Sequence, residues 1–164
     1  MDAELLYMLA NEAKEYGNPY IVVTKTAAQA LSGNTAISWD TTAQYLDSTG
    51  VGFTNSSIGS SAVRMPVSGL YLINGNITIA GAASSTTLYV GLGIAGTAPV
   101  TTFSYRGSNP MYANSSGTMA GGISIAVPIT SGTYVSLIGN ASAGQSTDAN
   151  AKNTWMSISY LAPI

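Results

Sequence analysis

The 164-residue chain contains no cysteine and no histidine. Without cysteine it can form neither disulfide bonds nor thiolate metal sites, and without histidine it lacks the commonest general base and metal ligand near neutral pH. A serine nucleophile would need a lysine base, and neither Lys25 nor Lys152 lies in a recognisable motif. These absences exclude most hydrolase and metalloenzyme mechanisms, so we expect a protein that is not an enzyme and has no cofactor.

Charge is also scarce, with five basic and seven acidic residues and a net charge of −2. No basic stripe is present to hold phosphates, which argues against nucleic-acid binding. No apolar window approaches the roughly 20 residues that cross a bilayer, and Asp2 and Glu4 stand where a secretory signal would carry lysine or arginine. We therefore expect no nucleic-acid partner, no membrane partner and a product that is soluble in the cell that makes it.

A carboxylate pair is the catalytic constellation that this composition still permits, and Asp40 with Asp47 is the best candidate. In a loop-rich region the two could approach the separations that glycosidases use. Aspartates in such segments more often form Asx turns that satisfy local backbone donors. We predict the turn role for both residues and no catalytic site.

Half of the charged residues fall within the first 25 positions, which separates a leader from the rest of the chain. Asp2 can cap a helix, apolar residues recur at helical spacing from Leu5 to Tyr16, and Gly17 with Pro19 supplies a stop. We predict a helix over 2–16 in an anchor segment of residues 1–17, followed by a linker or arm over 18–33 in which Tyr20 to Thr24 could form a short strand. A helix of about four turns is marginal alone, so it should dock on its own domain, on copies of itself or on a different protein.

From residue 34 to 164 the pattern is that of β-strands. Apolar residues alternate with polar ones around Ile77, from Ile123 to Ile129 and from Met156 to Tyr160, and clusters of Gly, Ser, Asn and Pro separate these segments. Short strands without intervening helices indicate an antiparallel sandwich or barrel. We predict one all-β domain over 34–164.

The segment from Gly69 to Ile73 reads GLYLI and has no polar residue on either face. An antiparallel strand with one wet face should alternate, so both faces of this strand should be covered. Trp155 and Leu161 give the same indication, because they lie on the parity opposite to Met156 and its partners. The second cover would come from another chain or from a loop of the same chain.

The order of several short motifs resembles the tumour necrosis factor and complement globular-head superfamily, over about residues 34–164. The matching residues are Trp39 and Asp40 as the opening; Tyr45, Asp47 and Phe53 after it; Val63, Pro66, Gly69 and Tyr71 as a strand pair; the turn from Ile129 to Val135; and the last strand from Trp155 to Leu161. Two positions depart from the family pattern: Thr133 replaces an acidic residue of the turn, and Asn74 stands where a larger apolar residue is common.

The resemblance implies a ten-strand antiparallel jelly roll that assembles as a homotrimer. It would place four apolar residues at the trimer interface, namely Leu70, Leu72, Trp155 and Leu161. The acidic calcium ligands of some family members have no counterpart cluster here, so we expect no bound metal.

Because this superfamily is common in bacteriophage virions, the resemblance also implies a structural virion protein, made in the host cytoplasm and located on the capsid surface. We expect a trimeric capsid decoration (cement) or head-fibre protein whose partner is the major capsid protein or another virion protein. Leu5, Leu6 and Leu9 would form its capsid-docking stripe. The alternative is a receptor-binding fibre tip that recognises a host surface glycan, with Tyr105, Tyr112 and Trp155 as stacking candidates.

Overall fold

The computed structural model describes residues 20–39, 44–46, 53, 61–107, 111–112, 117–149 and 153–164. The helix expected over 2–16, with Leu5, Leu6 and Leu9, lies outside these residues, and so do Asp40 and Asp47. The described part of the chain is all-β with antiparallel pairing, and its helical content is one 3₁₀ turn at Ser142–Gly144. The all-β expectation for the domain is therefore confirmed.

One sheet has five strands, in the spatial order β3-β1-β11-β5-β9. Their bounds are β1 Tyr20–Thr24, β3 Gln44–Leu46, β5 Gly69–Ala82, β9 Gly117–Ile129 and β11 Trp155–Ala162. The long strands β5 and β9 pair from Gly69 opposite Ile129 to Ala82 opposite Gly117, with one irregularity after Ile79. This pair is the backbone of the sheet, and β11 and β1 extend it on the other side.

The second sheet has six strands, and its centre is the pair β6 Thr87–Ala95 and β10 Tyr134–Ala141. The other four strands have two residues each: β2 Thr35–Ala36, β4 Val63–Arg64, β7 Tyr105–Arg106 and β8 Met111–Tyr112. Both β2 and β4 pair with β10, and both β7 and β8 pair with β6. The described residues thus form eleven strands where the resemblance implied ten, because two short segments share each outer position of this sheet.

The core fills the space between the two sheets. On β5, Tyr71, Ile73, Ile77 and Ile79 are fully buried, and they face residues such as Leu137 from the other sheet. Gly75 leaves the room that Leu137 needs, since a Cβ at residue 75 would lie 2.5 Å from its Cδ1 atom. The alternation of apolar and polar residues in the sequence therefore corresponds to an inner and an outer face.

Residues 18–33 were expected to be a linker or arm with a possible short strand at Tyr20 to Thr24, and the structure has that strand but makes it part of the domain. From Tyr20 onward this segment belongs to the domain: β1 pairs along its whole length with β11. Ile21, Val23 and Leu31 are fully buried in the core. Ile21 and Val23 are spaced as alternate residues of a strand, so their burial sets the register of β1 once it pairs with the edge of β11.

No helix within the described ranges is long and apolar enough to span a membrane.

Candidate functional site: the outer face of the five-stranded sheet

The surface of the five-stranded sheet that points away from the core is the strongest candidate for a binding surface. We call it the outer face and define it by its described members: Tyr20, Val22 and Thr24 of β1; Leu70, Leu72, Asn74 and Asn76 of β5; Ser124, Ala126 and Pro128 of β9; Trp155, Ser157 and Ser159 of β11. None of these residues is charged. When a second protein covers an uncharged surface, no charged group has to be desolvated.

Strand register decides where the predicted interface residues lie on this surface. Leu72 sits between Ser159 and Ala126, and Leu70 is the next residue on the same face. Trp155 lies opposite Asn76, at the far end of the face. The structure therefore places Leu70, Leu72 and Trp155 on one face but separates the leucines from the tryptophan.

Leu161 occupies an irregular position. The pairing between β11 and β5 shifts after Tyr160, so that Ala162 rather than Leu161 lies opposite Leu70. Leu161 is 44 % exposed. It adds apolar surface at the edge of the leucine end of the outer face.

A polar row crosses the middle of the outer face. The Ser124 hydroxyl donates a 2.7 Å hydrogen bond to Oδ1 of Asn74, and Nδ2 of Asn74 lies 3.5 Å from the Ser157 hydroxyl oxygen. These contacts hold the Asn74 amide flat across three strands. The departure from the family pattern at residue 74 thus introduces a hydrogen-bonded polar group between two apolar ends.

Within a single chain, the GLYLI segment is covered on one face. Gly69, Tyr71 and Ile73 are buried in the core, whereas Leu70 and Leu72 are half-buried. No described loop closes over the two leucines, so the second cover that the sequence pattern demands is not supplied by the described part of this chain.

Tyr71 anchors the strand from the inner side. Its hydroxyl donates a 2.7 Å hydrogen bond to the carbonyl of Val67, and its ring makes edge-to-face contacts with Phe53 and Tyr160. Burial raises the pKa of Tyr71 to about 12, because the phenolate would lose its hydration. A neutral, fully packed tyrosine keeps the backbone under Leu70 and Leu72 rigid.

A second apolar surface lies along the edge of the sandwich between β9 and β8, and we call it the apolar edge. It consists of Tyr105, Met111, Ile123 and Ile125. Tyr105 and Met111 are 38 % and 47 % exposed, and the two isoleucines are only partly buried against the core. Sequence reasoning missed this surface, because the alternation around Ile123 resembles that of an ordinary core strand and Met111 is isolated in the sequence.

Two of the three aromatic residues considered for glycan stacking, Tyr105 and Trp155, lie on different sheets. Tyr105 belongs to β7 in the six-stranded sheet, whereas Trp155 belongs to β11 in the five-stranded sheet. Tyr112 lies in β8 opposite Thr87, and its side chain is outside the described part. A stacking site that combines Trp155 with Tyr105 within one chain is therefore wrong.

Among the residues that the structure describes, no group of three or more Asp and Glu side chains is placed to hold a metal ion. The described side chains of the outer face carry amides, hydroxyls and apolar groups, and such groups can pack and form hydrogen bonds.

Comparison with known proteins gives matches in structure only. No protein-family model matches the sequence, and no curated protein matches it. Eiger TNF from S. frugiperda is similar in structure, with a TM-score of 0.56 and 12 % identity over 90 % of this chain and 93 % of that chain. Murine APRIL at pH 5.0 has a TM-score of 0.64 and 14 % identity over 88 % of this chain and 99 % of that chain. At these identities the likeness concerns the fold alone, and the chain has a jelly-roll fold like that of these two proteins.

Proposed function

We propose that this protein is a non-catalytic homotrimer that assembles through the outer face of its five-stranded sheet. The observation that carries the proposal is the uncharged outer face on which Leu70, Leu72 and Trp155 are only half-buried. Large apolar side chains on a sheet face that has no charged residue are typical of an interface.

Threefold assembly needs two different surfaces on each subunit, because a cyclic contact of this kind is heterologous. The apolar edge supplies the second surface. Its exposed Tyr105 and Met111 and partly buried Ile123 and Ile125 would pack against the outer face of the neighbouring subunit. Both surfaces would then be covered at once, and Leu161 would lie at the rim of the contact.

We further propose a structural role in a bacteriophage virion, as a capsid decoration or head-fibre protein. Support comes from the jelly-roll fold and from the composition of the leader, where Leu5, Leu6 and Leu9 can form an apolar stripe on a helix. Burial of three leucines would stabilise docking by roughly 5–8 kcal/mol before ordering costs. Three leaders on one trimer would act together, so a weak single contact could give tight attachment to the major capsid protein.

A receptor-binding fibre tip is the second candidate. The observation that favours it is the group of aromatic residues on the six-stranded sheet, on the side of the molecule that trimerisation through the outer face would leave open. Such a tip would recognise a host surface glycan.

Light scattering of the purified full-length chain tests the assembly. We expect a single species with three times the chain mass of 16.7 kDa at low micromolar concentration. A stable monomer or dimer under these conditions would overturn the proposal.

Deletion of residues 1–17 separates the two virion roles. If the leader docks on a capsid, the truncated protein should remain a folded trimer and lose binding to particles that lack the protein. A matched full-length control with Leu5, Leu6 and Leu9 changed to serine should behave like the deletion. Retained particle binding by both variants would exclude the anchor, and saturable binding of the truncated trimer to host cells would favour the fibre tip.

A further inference from the structure

An arginine stacked on two aromatic rings lies on the solvent side of the six-stranded sheet. The guanidinium carbon of Arg106 is 4.6 Å from the centroid of the Phe103 ring and 5.8 Å from that of the Tyr89 ring. Arg106 is exposed and both rings are half-buried. We call Tyr89, Phe103 and Arg106 the arginine–aromatic cluster.

The backbone on both sides of the cluster holds Arg106 in place. Strand β7 pairs Arg106 with Gly91 of β6, and the amide of Gly107 donates a 2.8 Å hydrogen bond to the carbonyl of Val90. On the other side, the Ser104 hydroxyl accepts a 2.9 Å hydrogen bond from the amide of Ile94. These bonds fix the backbone that carries Arg106, and the two rings are the surface on which its guanidinium lies.

Gly91 explains why the rings lie as they do. A Cβ at this position would come within 2.4 Å of Phe103 Cδ1 and of the Tyr105 carbonyl oxygen. The missing side chain lets Phe103 lie directly on the sheet, with its ring beneath Arg106. The cluster thus depends on glycine at position 91 for the space it leaves to the Phe103 ring, not for an unusual backbone conformation.

The guanidinium of Arg106 has no carboxylate and no hydrogen-bond acceptor among the described residues, and the two rings are its contacts. Its N–H groups are therefore free to bind a ligand, and a planar fork of donors matches a carboxylate. The ring faces beside it offer flat apolar surface of the kind that packs against the C–H face of a sugar. Together they present one charged donor and two stacking surfaces within a few ångströms.

We propose that the arginine–aromatic cluster binds an acidic saccharide, a sugar that carries a carboxylate group. The carboxylate would lie against the Arg106 fork and the sugar ring against Phe103 or Tyr89. This inference gives the second candidate function a site and a ligand class, but it does not require the trimer. The cluster lies on the six-stranded sheet, opposite to the outer face. A failed test of trimer assembly would therefore leave the saccharide-binding proposal standing, and a failed binding test would leave the trimer proposal standing.

The proposal is tested on an array of saccharides that contain uronic or sialic acids. Each acidic saccharide is accompanied by a neutral counterpart in which the carboxylate has been reduced to an alcohol. The full-length protein should bind at least one acidic member saturably, at least tenfold more tightly than the neutral counterpart. Titration calorimetry would then give the affinity of that saccharide for each variant. Absence of saturable binding to every acidic member would overturn the proposal.

Two substitutions assign the binding to this cluster. Arg106→Gln should weaken binding at least tenfold. Arg64→Gln removes the same charge from an exposed arginine in β4, and it should leave the affinity within twofold of that of the parent protein. Arg106→Lys keeps the charge but loses the planar fork, and it should fall between the two. Equal affinity of the Arg106→Gln variant and the parent would overturn the site, provided that both have the same circular dichroism spectrum and mass by light scattering.

Discussion

Replacement of Leu72 by aspartate should separate the three subunits while each remains folded. Leu72 lies on the outer face between Ser159 and Ala126, and it is half-buried in a single chain. In an isolated subunit the new carboxylate points to solvent and stays hydrated. In the proposed trimer the same carboxylate would be covered by the apolar edge of a neighbour, and none of the four residues of that edge carries a charge to pair with it.

The size of the effect follows from the protonation equilibrium of the new carboxyl group. A buried carboxylate without a partner can always escape its desolvation cost by taking up a proton. With an ordinary aspartate pKa of about 3.9, protonation at pH 7 costs about 4 kcal/mol, which limits the penalty for each subunit. Three subunits give about 12 kcal/mol, or roughly a 10⁹-fold loss in the trimer association constant.

The pH dependence has a definite sign. Assembly raises the pKa of the new carboxyl group, so the penalty is largest above its solution pKa and disappears as the pH falls below it. The Leu72→Asp variant should therefore be a monomer at pH 7 and regain trimer near pH 4.

Light scattering at both pH values, with circular dichroism as the folding control, gives the result. The Leu72→Asn variant should remain largely trimeric at pH 7, because asparagine has nearly the same shape as aspartate but carries no charge. Ser84→Asp, on the exposed turn between β5 and β6, should remain a trimer at both pH values. A Leu72→Asp variant that stays trimeric at pH 7 would refute the assignment of the outer face, and Trp155→Asp would then show whether the other end of the face forms the contact.

Three further predictions concern the stability of the fold. The pKa of Tyr71 is raised to about 12 in the folded protein, so above pH 10 this phenol ionises first in the unfolded chain. Roughly 2–3 kcal/mol of unfolding free energy should therefore be lost by pH 12. In denaturant titrations Tyr71→Phe should abolish this loss. Gly75→Val should lower the unfolding free energy by about 2–3 kcal/mol through overpacking against Leu137, whereas Gly96→Ala, with no atom within 4 Å of its new Cβ, should change it by less than about 0.5 kcal/mol. Gln29→Ala removes side-chain hydrogen bonds to the backbone of residues 36 and 38 and should cost about 2 kcal/mol in the same assay.

An unfolding free energy unchanged by Gln29→Ala would mean that the connection between β1 and β2 is not held by this side chain. Likewise, equal alkaline loss in the parent and the Tyr71→Phe variant would assign that loss to other groups.

Local patterns were sufficient for the strands that carry the core. The alternation from Met156 to Tyr160 and from Ile123 to Ile129 predicted β11 and β9 with the correct parity, because the period of a strand depends only on its own backbone. At Gly69 to Ile73 the structure confirms the inner face, where Tyr71 and Ile73 are buried, and the second cover of Leu70 and Leu72 stays a prediction.

The linker expected over 18–33 shows where local patterns failed. The sequence YIVVT allows a short strand, but its role depends on β11, which lies more than 130 residues away. Nothing within a window of ten residues reports that such an edge exists, so the sequence permits the strand but cannot assign it to the sheet.

The sequence by itself therefore determined the all-β class, the inner and outer parity of the long strands, and the exclusion of histidine and cysteine chemistry. Those properties depend on residue types and on spacing along the chain. Only the tertiary structure decided that Trp155 lies opposite Asn76, that Met111 lies beside Gly121 at an edge, and that Arg106 stacks on Phe103. These contacts join residues by sheet register and by the space left at Gly91, and such relations exist only after distant strands have paired.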